Sequence, residues 1–277
     1  MRKIEIDAPA KLNVFLDVKR PVRADGFHEL VSLTGKISLF DTVSVEKADK
    51  ITLDISSPWK ISAGKKNICF AAAGILRKKV HFPGARIKLI KRIPPGQGMG
   101  GGSSDGAAVI KAINKLWDLR LSEKAKMSAA AATGSDVALF LMPSSFVWIR
   151  GRGEKTEISR RKIRGVVVVW FGRPLSTRKV YECFDKMPCG KFCGNSYDMG
   201  EGISGPAGKT VFFNVLDEAA FKLRPVIAKK VKMLLAAGAS EALMTGSGSA
   251  VFGVFKNAAD AEKFVKRRRS CKIARFL

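Results

Sequence analysis

Pro94-Pro-Gly-Gln-Gly-Met-Gly-Gly-Gly-Ser-Ser104 decides how the rest of the chain is read. Glycine stands at positions 96, 98, 100, 101 and 102, and a helical pattern follows at once. Glycine adopts backbone conformations closed to other residues and lets amides approach a ligand with no Cβ between them. Successive amides at a helix N-terminus form a concave donor site for phosphate. Ser103 and Ser104 are suited to cap that helix, to bond phosphate oxygens or to ligate Mg²⁺. No Gly-Lys-Ser/Thr follows, so the stretch is not a Walker A motif. It lacks the βαβ surroundings of a dinucleotide fingerprint. On composition alone, a phosphate cradle and a flexible glycine loop both fit.

Outward from the loop, hydrophobic periodicity predicts the elements. Upstream, Ala8–Val18 alternates: Ala10, Leu12, Val14 and Leu16 share one strand face, and Lys11, Asn13, Phe15 and Asp17 share the other. Thr42–Val45, Ile51–Ile55 and Ala85–Lys91 read as further strands, with a helix over Ile68–Lys79. Downstream, Val109, Ile113, Leu116 and Trp117 recur at helical spacing and predict a helix over Ser104–Trp117. A short helix over Ala125–Thr133, a strand over Phe146–Ile149 and a glycine turn at Gly151–Glu154 complete the first half. The second half opens on a buried strand, Val166–Trp170. Helices are expected near Val180–Asp185, Asn214–Leu223, Val226–Ala236 and Ala258–Arg268. Ala242–Thr245 and Val251–Phe255 read as strands around a second glycine turn, Gly246-Ser-Gly-Ser249. Strands and helices mix without regular alternation, which predicts an α+β protein. Two domains are expected, 1–155 and 156–277, with the substrate cleft between them.

The chain of 277 residues is long enough to bury a core without disulfides or metal. Lys plus Arg is 50 against 24 acids, a net charge of +26. Such a field concentrates anions, whether nucleotide, phosphorylated metabolite or nucleic acid. The basic runs are scattered (Lys65–Lys66, Arg77–Lys79, Arg160–Lys162, Lys266–Arg269) and no nucleic-acid motif accompanies them. Runs of this size usually form solvated faces, so charge alone does not carry the nucleic-acid reading against that of an enzyme with anionic substrates and surplus surface lysine. Five cysteines, an odd number, read as reduced thiols. Cys183, Cys189 and Cys193 cluster, but no histidine or fourth cysteine stands at zinc spacing. No signal-peptide pattern opens the chain, and the apolar run Val166–Phe171 is too short to span a bilayer. A cytoplasmic protein without a membrane partner is expected, as a monomer or weak homodimer.

Pro-x-Gly-x-Gly-Met-Gly-Gly-Gly-Ser-Ser-Asp-Gly-Ala resembles the ATP-binding motif of the GHMP kinases, named for galactose, homoserine, mevalonate and phosphomevalonate kinases. Ala8-Pro-Ala-Lys-Leu-Asn-Val-Phe-Leu16 is similar to that family's N-terminal motif, and Met244-Thr-Gly-Ser-Gly-Ser-Ala-Val-Phe-Gly253 to its C-terminal glycine motif. The resemblance implies a two-domain GHMP kinase fold, with a ribosomal-protein-S5-domain-2-like N-terminal part and a ferredoxin-like α/β C-terminal part. It implies ATP and Mg²⁺ as cofactors, with ATP on Pro94, Pro95, Gly96, Gln97, Gly98, Met99, Gly100, Gly101, Gly102, Ser103 and Ser104, and the metal reached through Ser104. Asp136 matches the catalytic aspartate, against the alternative of a helix N-cap. Lys11 matches its electrostatic partner, against the alternative of an exposed strand lysine.

Arg23-Ala-Asp-Gly-Phe-His-Glu-Leu30, Gly134-Ser-Asp-Val137, Gly151-Arg-Gly-Glu154 and Leu175-Ser-Thr-Arg-Lys-Val-Tyr181 resemble one branch of the family. Its acceptor is a cytidine diphosphate-linked methylerythritol, phosphorylated at the 2-hydroxyl on the non-mevalonate route to isoprenoid precursors. By that match Phe27 and Tyr181 sandwich the cytosine, His28 reads its polar edge, and Asn13 bonds the erythritol moiety. Thr177 and Asp105 are further substrate contacts. The chain departs from the pattern at Ala138, where proline is usual, and at Asn214-Val215, where Asn-Asp is usual. Cys183–Gly208 matches nothing. A homoserine- or mevalonate-type kinase is the alternative within the family, and a basic nucleic-acid binder the alternative outside it.

Overall fold

β1 (Lys3–Val18) and β2 (Leu30–Lys47) run for 16 and 18 residues, long enough for each to belong to two compact units. The computed structural model describes residues 3–20, 22, 24–188 and 212–277. One unit comprises Met1–Ala10, Leu39–Pro95 and Gly100–Pro143, and the other Lys11–Ser38, Gly96–Met99 and Ser144–Leu277. This differs from the expected boundary near residue 155. The cause is strand length, since a division that follows β1 and β2 makes both units discontinuous in sequence.

In the first unit the strand order is β3-β4-β2-β1. β4 (Ala85–Ile90) pairs antiparallel with Thr42–Lys47 of β2 and parallel with β3 (Thr52–Ser56). Here α1 (Ile68–Lys79) packs on α2 (Gly101–Leu116) and on α3 (Glu123–Thr133), and α2 packs on α4 (Val137–Leu141). Asn67 caps α1 by accepting from the Cys69 amide, and Ser122 caps α3 by accepting from Ala125. Along α2, Val109, Ile113 and Leu116 of the predicted stripe are buried, while Trp117, expected with them, is the C-cap residue and only half-buried.

In the second unit Leu30–Gly35 of β2 pairs with β5 (Phe146–Gly151). β5 turns at Gly151–Glu154 into β6 (Lys155–Ile158). Phe15 and Leu16 of β1 pair parallel with β8 (Phe213–Asn214). A separate antiparallel sheet has the order β11-β7-β10-β9, from Cys271–Ala274, Val166–Trp170, Val251–Phe255 and Ala239–Met244. α7 (Val226–Ala236) covers β9 and β10, α8 (Ala258–Val265) contacts β7 and β11, and α5 (Thr177–Asp185) packs on α6 (Asp217–Leu223). Val168, Leu216, Leu234, Met244 and Phe255 lie in this unit's core.

The mixture of sheets and helices is the expected α+β class. One pattern was not anticipated: from Ala10 to Val18 both faces of β1 are buried, including Lys11 at 6% exposed and Asn13 at 5%. Polar groups out of water need partners, and those partners define the site.

Candidate active site

The loop from Pro94 to Ser104 is built on alternate left-handed glycines: φ is +66° at Gly96, +75° at Gly98 and +64° at Gly100. At Gly98 the space is also closed, because a Cβ there would meet the Thr245 carbonyl oxygen at 2.1 Å. α2 starts at Gly101, three residues before the predicted start at Ser104. Ser103 and Ser104 therefore lie inside the first turn and do not cap it. Gly100 holds the N-cap position, no side chain caps this end, and no acid occupies the first turn. The first amides of a helix have no intrahelical acceptor, and the helix dipole favours an anion beside them. The Ser104 hydroxyl is buried and has no hydrogen-bond partner, so it too has a bond to offer. These features fit a phosphate group and, through its oxygens, a cation. Among the described residues no group of three His, Cys, Asp or Glu could hold a metal alone.

A buried ionic cluster anchors both shoulders of the loop within the first unit. Lys91 donates to Asp41 and, at 2.7 Å, to Asp105. Asp41 also accepts the amides of Arg92 at 2.5 Å and Ile93 at 2.8 Å. Asp105 directly follows Ser104, so the chain entering the loop is pinned to the helix leaving it. Burial would lower the Lys91 ammonium, but Asp105 and Asp41 together hold it above its ordinary value. Burial drives Asp105 well above the usual carboxylate range, the Lys91 charge opposes this, and Asp41 adds to the rise. Asp105 was expected to touch substrate. It is 1% exposed and faces Lys91 instead.

Three sequence-distant segments interlock in the second unit. Lys11 donates its backbone amide to the Met99 carbonyl at 3.0 Å and its ammonium to the Asn13 side-chain oxygen. Asn13 donates its backbone amide to the Thr245 hydroxyl at 3.0 Å and its side-chain amide to Ser32 at 2.7 Å. Thr245 reaches the Gly98 carbonyl at 3.4 Å. Asn214 bonds the carbonyls of Met244 and Gly246, each at 2.9 Å, and so fixes the second glycine turn. Gln97 exchanges two hydrogen bonds with the Gly172 backbone, at 2.5 and 2.9 Å. Ser32, Thr34, Thr245 and Asn214 were not anticipated as site residues. The signal available was their placement: Thr245 and Asn214 flank or enter recognised segments, and Ser32 and Thr34 alternate on β2.

Asp136 lies in the first unit at the N-cap position of α4, partly buried, and its carboxylate makes no capping bond. The helix-cap alternative is thus met in position but not in function. In the second unit His28 lies against Tyr181, with ring centroids 5.2 Å apart. The His28 ring nitrogens face the Lys19 carbonyl at 2.9 Å and the Asp185 carboxylate at 3.1 Å. Phe27 is 55% exposed, with the Arg152 guanidinium 5.2 Å from its ring centre. Thr177 bonds Ser247 of the second glycine turn at 2.8 Å. Asp185 carried no sequence signal, since it lies 157 positions from His28. Cys183 is a free thiol, whereas Arg23, Cys189, Cys193 and the stretch to Gly208 lie outside the described residues.

Comparison with known proteins places the chain in a family. The model of the GHMP kinases N terminal domain matches residues 67–144, and that of the GHMP kinases C terminal matches 200–272. A 4-diphosphocytidyl-2-C-methyl-D-erythritol kinase of Syntrophomonas wolfei is 36% identical over 274 residues, covering 96% of this chain and 95% of the relative. One from Caldanaerobacter subterraneus is 34% identical, covering 95% and 91%. A crystal structure of 4-(cytidine 5'-diphospho)-2C-methyl-D-erythritol kinase superposes with a TM-score of 0.81 at 29% identity, covering 98% of each chain. A homoserine kinase from Cytophaga hutchinsonii, at 16% identity and a TM-score of 0.70, shares the fold. No helix among the described residues is long and apolar enough to cross a membrane.

Proposed function

The chain belongs to the GHMP kinase family, and from that membership we propose that it transfers the ATP γ-phosphoryl group to the 2-hydroxyl of 4-diphosphocytidyl-2-C-methyl-D-erythritol. The observation that carries the proposal is the interlock of Lys11, Asn13 and Thr245 with Gly98. It joins the family's N-terminal and C-terminal segments to the loop that would cradle the nucleotide.

Phosphoryl transfer asks chiefly for positioning and charge stabilisation. The left-handed glycines and the uncapped start of α2 would hold the β- and γ-phosphates of ATP. Ser104 would help to hold Mg²⁺, which would supply positive charge against the phosphate oxygens. Asp136 would accept the proton of the 2-hydroxyl, a task for which its carboxylate is spared from capping. Lys11 would stabilise the developing oxyanion, and Asn13 would fix the acceptor hydroxyls. Phe27 and Tyr181 offer ring faces for the cytosine, a contact of about 1–3 kcal/mol. Beside His28, the Asp185 carboxylate is an acceptor of the kind the cytosine amino group needs. The two relatives at 34% and 36% identity and the crystal structure at 29% carry this acceptor in their names, which supports the choice over homoserine or mevalonate.

Asp136→Asn tests the assignment. Turnover should fall by about 10²–10⁴-fold, while the affinity for a non-hydrolysable ATP analogue stays within about twofold of the parent, since no nucleotide contact is removed. Undiminished turnover would remove Asp136 from the mechanism.

A further inference from the structure

The kinase reaction leaves one cationic cavity unused. It lies wholly within the second unit, has a volume of about 400 Å³, and is lined by Arg173, Arg224 and Lys230. Phe171, Val226 and Ile227 supply its apolar wall. Among the described residues, the Lys230 and Arg224 heads are oriented by neutral groups only. Lys230 donates to the Phe171 carbonyl at 2.5 Å, and Arg224 donates to the carbonyls of Arg173 and Pro174 at 2.5 and 3.2 Å. Backbone carbonyls hold these heads in place without cancelling their charge. No ion pair joins any of the three to a carboxylate among the described residues. Burial pulls the Lys230 ammonium below its ordinary value; Cys271 opposes this, and Arg224, the smallest of the three effects, adds to the lowering. Like charges gathered in a partly desolvated cavity repel, and an anion relieves them. Among the described residues no carboxylate offsets this electrostatic cost.

The cavity is linked to the glycine loop through its lining. Two of its lining residues, Gly172 and Ser249, are bonded to Gln97. Gln97 in turn accepts the Ala250 amide through its backbone carbonyl at 3.4 Å. A ligand that tightens this wall tightens the loop residue that lies between Gly96 and Gly98.

We propose that this cavity is a second anion site, for a small organic molecule carrying a phosphate or diphosphate group, and that its occupancy is coupled through Gln97 to nucleotide binding at the glycine loop. The phosphate oxygens meet Arg173, Arg224 and Lys230, and the carbon part lies on Phe171, Val226 and Ile227. Coupling of this kind is reciprocal: the ligand and ATP change each other's affinity by the same factor.

The test is titration calorimetry on the full chain saturated with a non-hydrolysable ATP analogue, so that the glycine loop is already filled. Ribose 5-phosphate and inorganic pyrophosphate are the probes, with potassium chloride at matched ionic strength as control. Wild-type protein should bind a probe beyond the chloride control. Arg173→Gln and Lys230→Gln should each weaken binding by about tenfold, the loss of one charge-assisted contact. Arg173→Lys should restore most of it. Tighter binding of ribose 5-phosphate than of pyrophosphate identifies an organic ester as the ligand class, and the reverse order overturns the organic assignment. ATP-analogue affinity should change with probe concentration in wild type and stay level in Arg173→Gln. Arg173 is exposed at the cavity's edge, so that variant keeps the test open if Lys230→Gln fails to fold. No binding above chloride, or equal binding by wild type and Arg173→Gln, overturns the proposal.

Discussion

Asp105 follows Ser104 in the chain, yet its carboxyl answers to Lys91 and Asp41. That placement makes two neighbouring acids behave differently on substitution. Asp105→Asn should be tolerated, with activity and thermal midpoint close to the parent. The amide keeps an oxygen for Lys91 and gains a donor toward Asp41. Asp41→Asn should cost about 3–5 kcal/mol, because it breaks a buried ion pair and sets an amide among three N–H donors. Urea unfolding of both variants checks the contrast, and equal losses would contradict it. The same cluster fixes a pH trend. The folded-state value of Asp105 is raised above the unfolded one, so folding is favoured while the group is protonated. This stability is fully present below the ordinary aspartate value and is lost as pH rises through the folded-state value. Thermal midpoints measured against pH should therefore fall less steeply in Asp105→Asn. Asp217, also raised by burial, leaves a residual slope of the same sign. Lys11 and Asp136 could be singled out as candidates from sequence because they sit inside short segments that resemble family motifs. The bonds around Lys11 could not, since Asn13 and Thr245 lie 232 positions apart.

At the scale of elements, the glycine loop is where backbone conformation and function coincide. Gly98→Ala would place a methyl group against the Thr245 carbonyl at a left-handed φ of +75°. The strain of about 1–2 kcal/mol has to be relieved by moving either the loop or the Thr245 turn. The KM for ATP should rise by about tenfold in steady-state assays, and an unchanged KM would mean the loop does not hold nucleotide. Long periodic elements such as α1 and α2 were legible, as were β4 and β7, whose apolar runs are bounded by turns. α4, β6 and β11 were not. At 5, 4 and 4 residues they are too short for a helical or strand period to declare itself. The N-terminal half of β2 escaped for another reason. Its buried Ser32, Thr34 and Lys36 interrupt the apolar signal, and they are buried because β1 and β5 flank them with polar and backbone partners.

At the scale of the whole chain, a net charge of +26 suits a protein whose proposed nucleotide and acceptor are both polyanions, and the cavity around Lys230 gives part of that excess a specific use. The division into two units could not be read from sequence, because long strands carry single stretches of chain into both. The three recognised segments, by contrast, announced the family before any geometry was known, and the structure adds that they bond to one another around Gly98. The central claim is the identity of the acceptor. A coupled ADP-release assay tests it most directly, with 4-diphosphocytidyl-2-C-methyl-D-erythritol, homoserine and mevalonate offered separately to the same enzyme preparation with Mg-ATP. The account predicts ADP release that depends on the cytidylyl substrate, with the other two near the ATP-only background. Comparable or faster turnover of homoserine or mevalonate would contradict it.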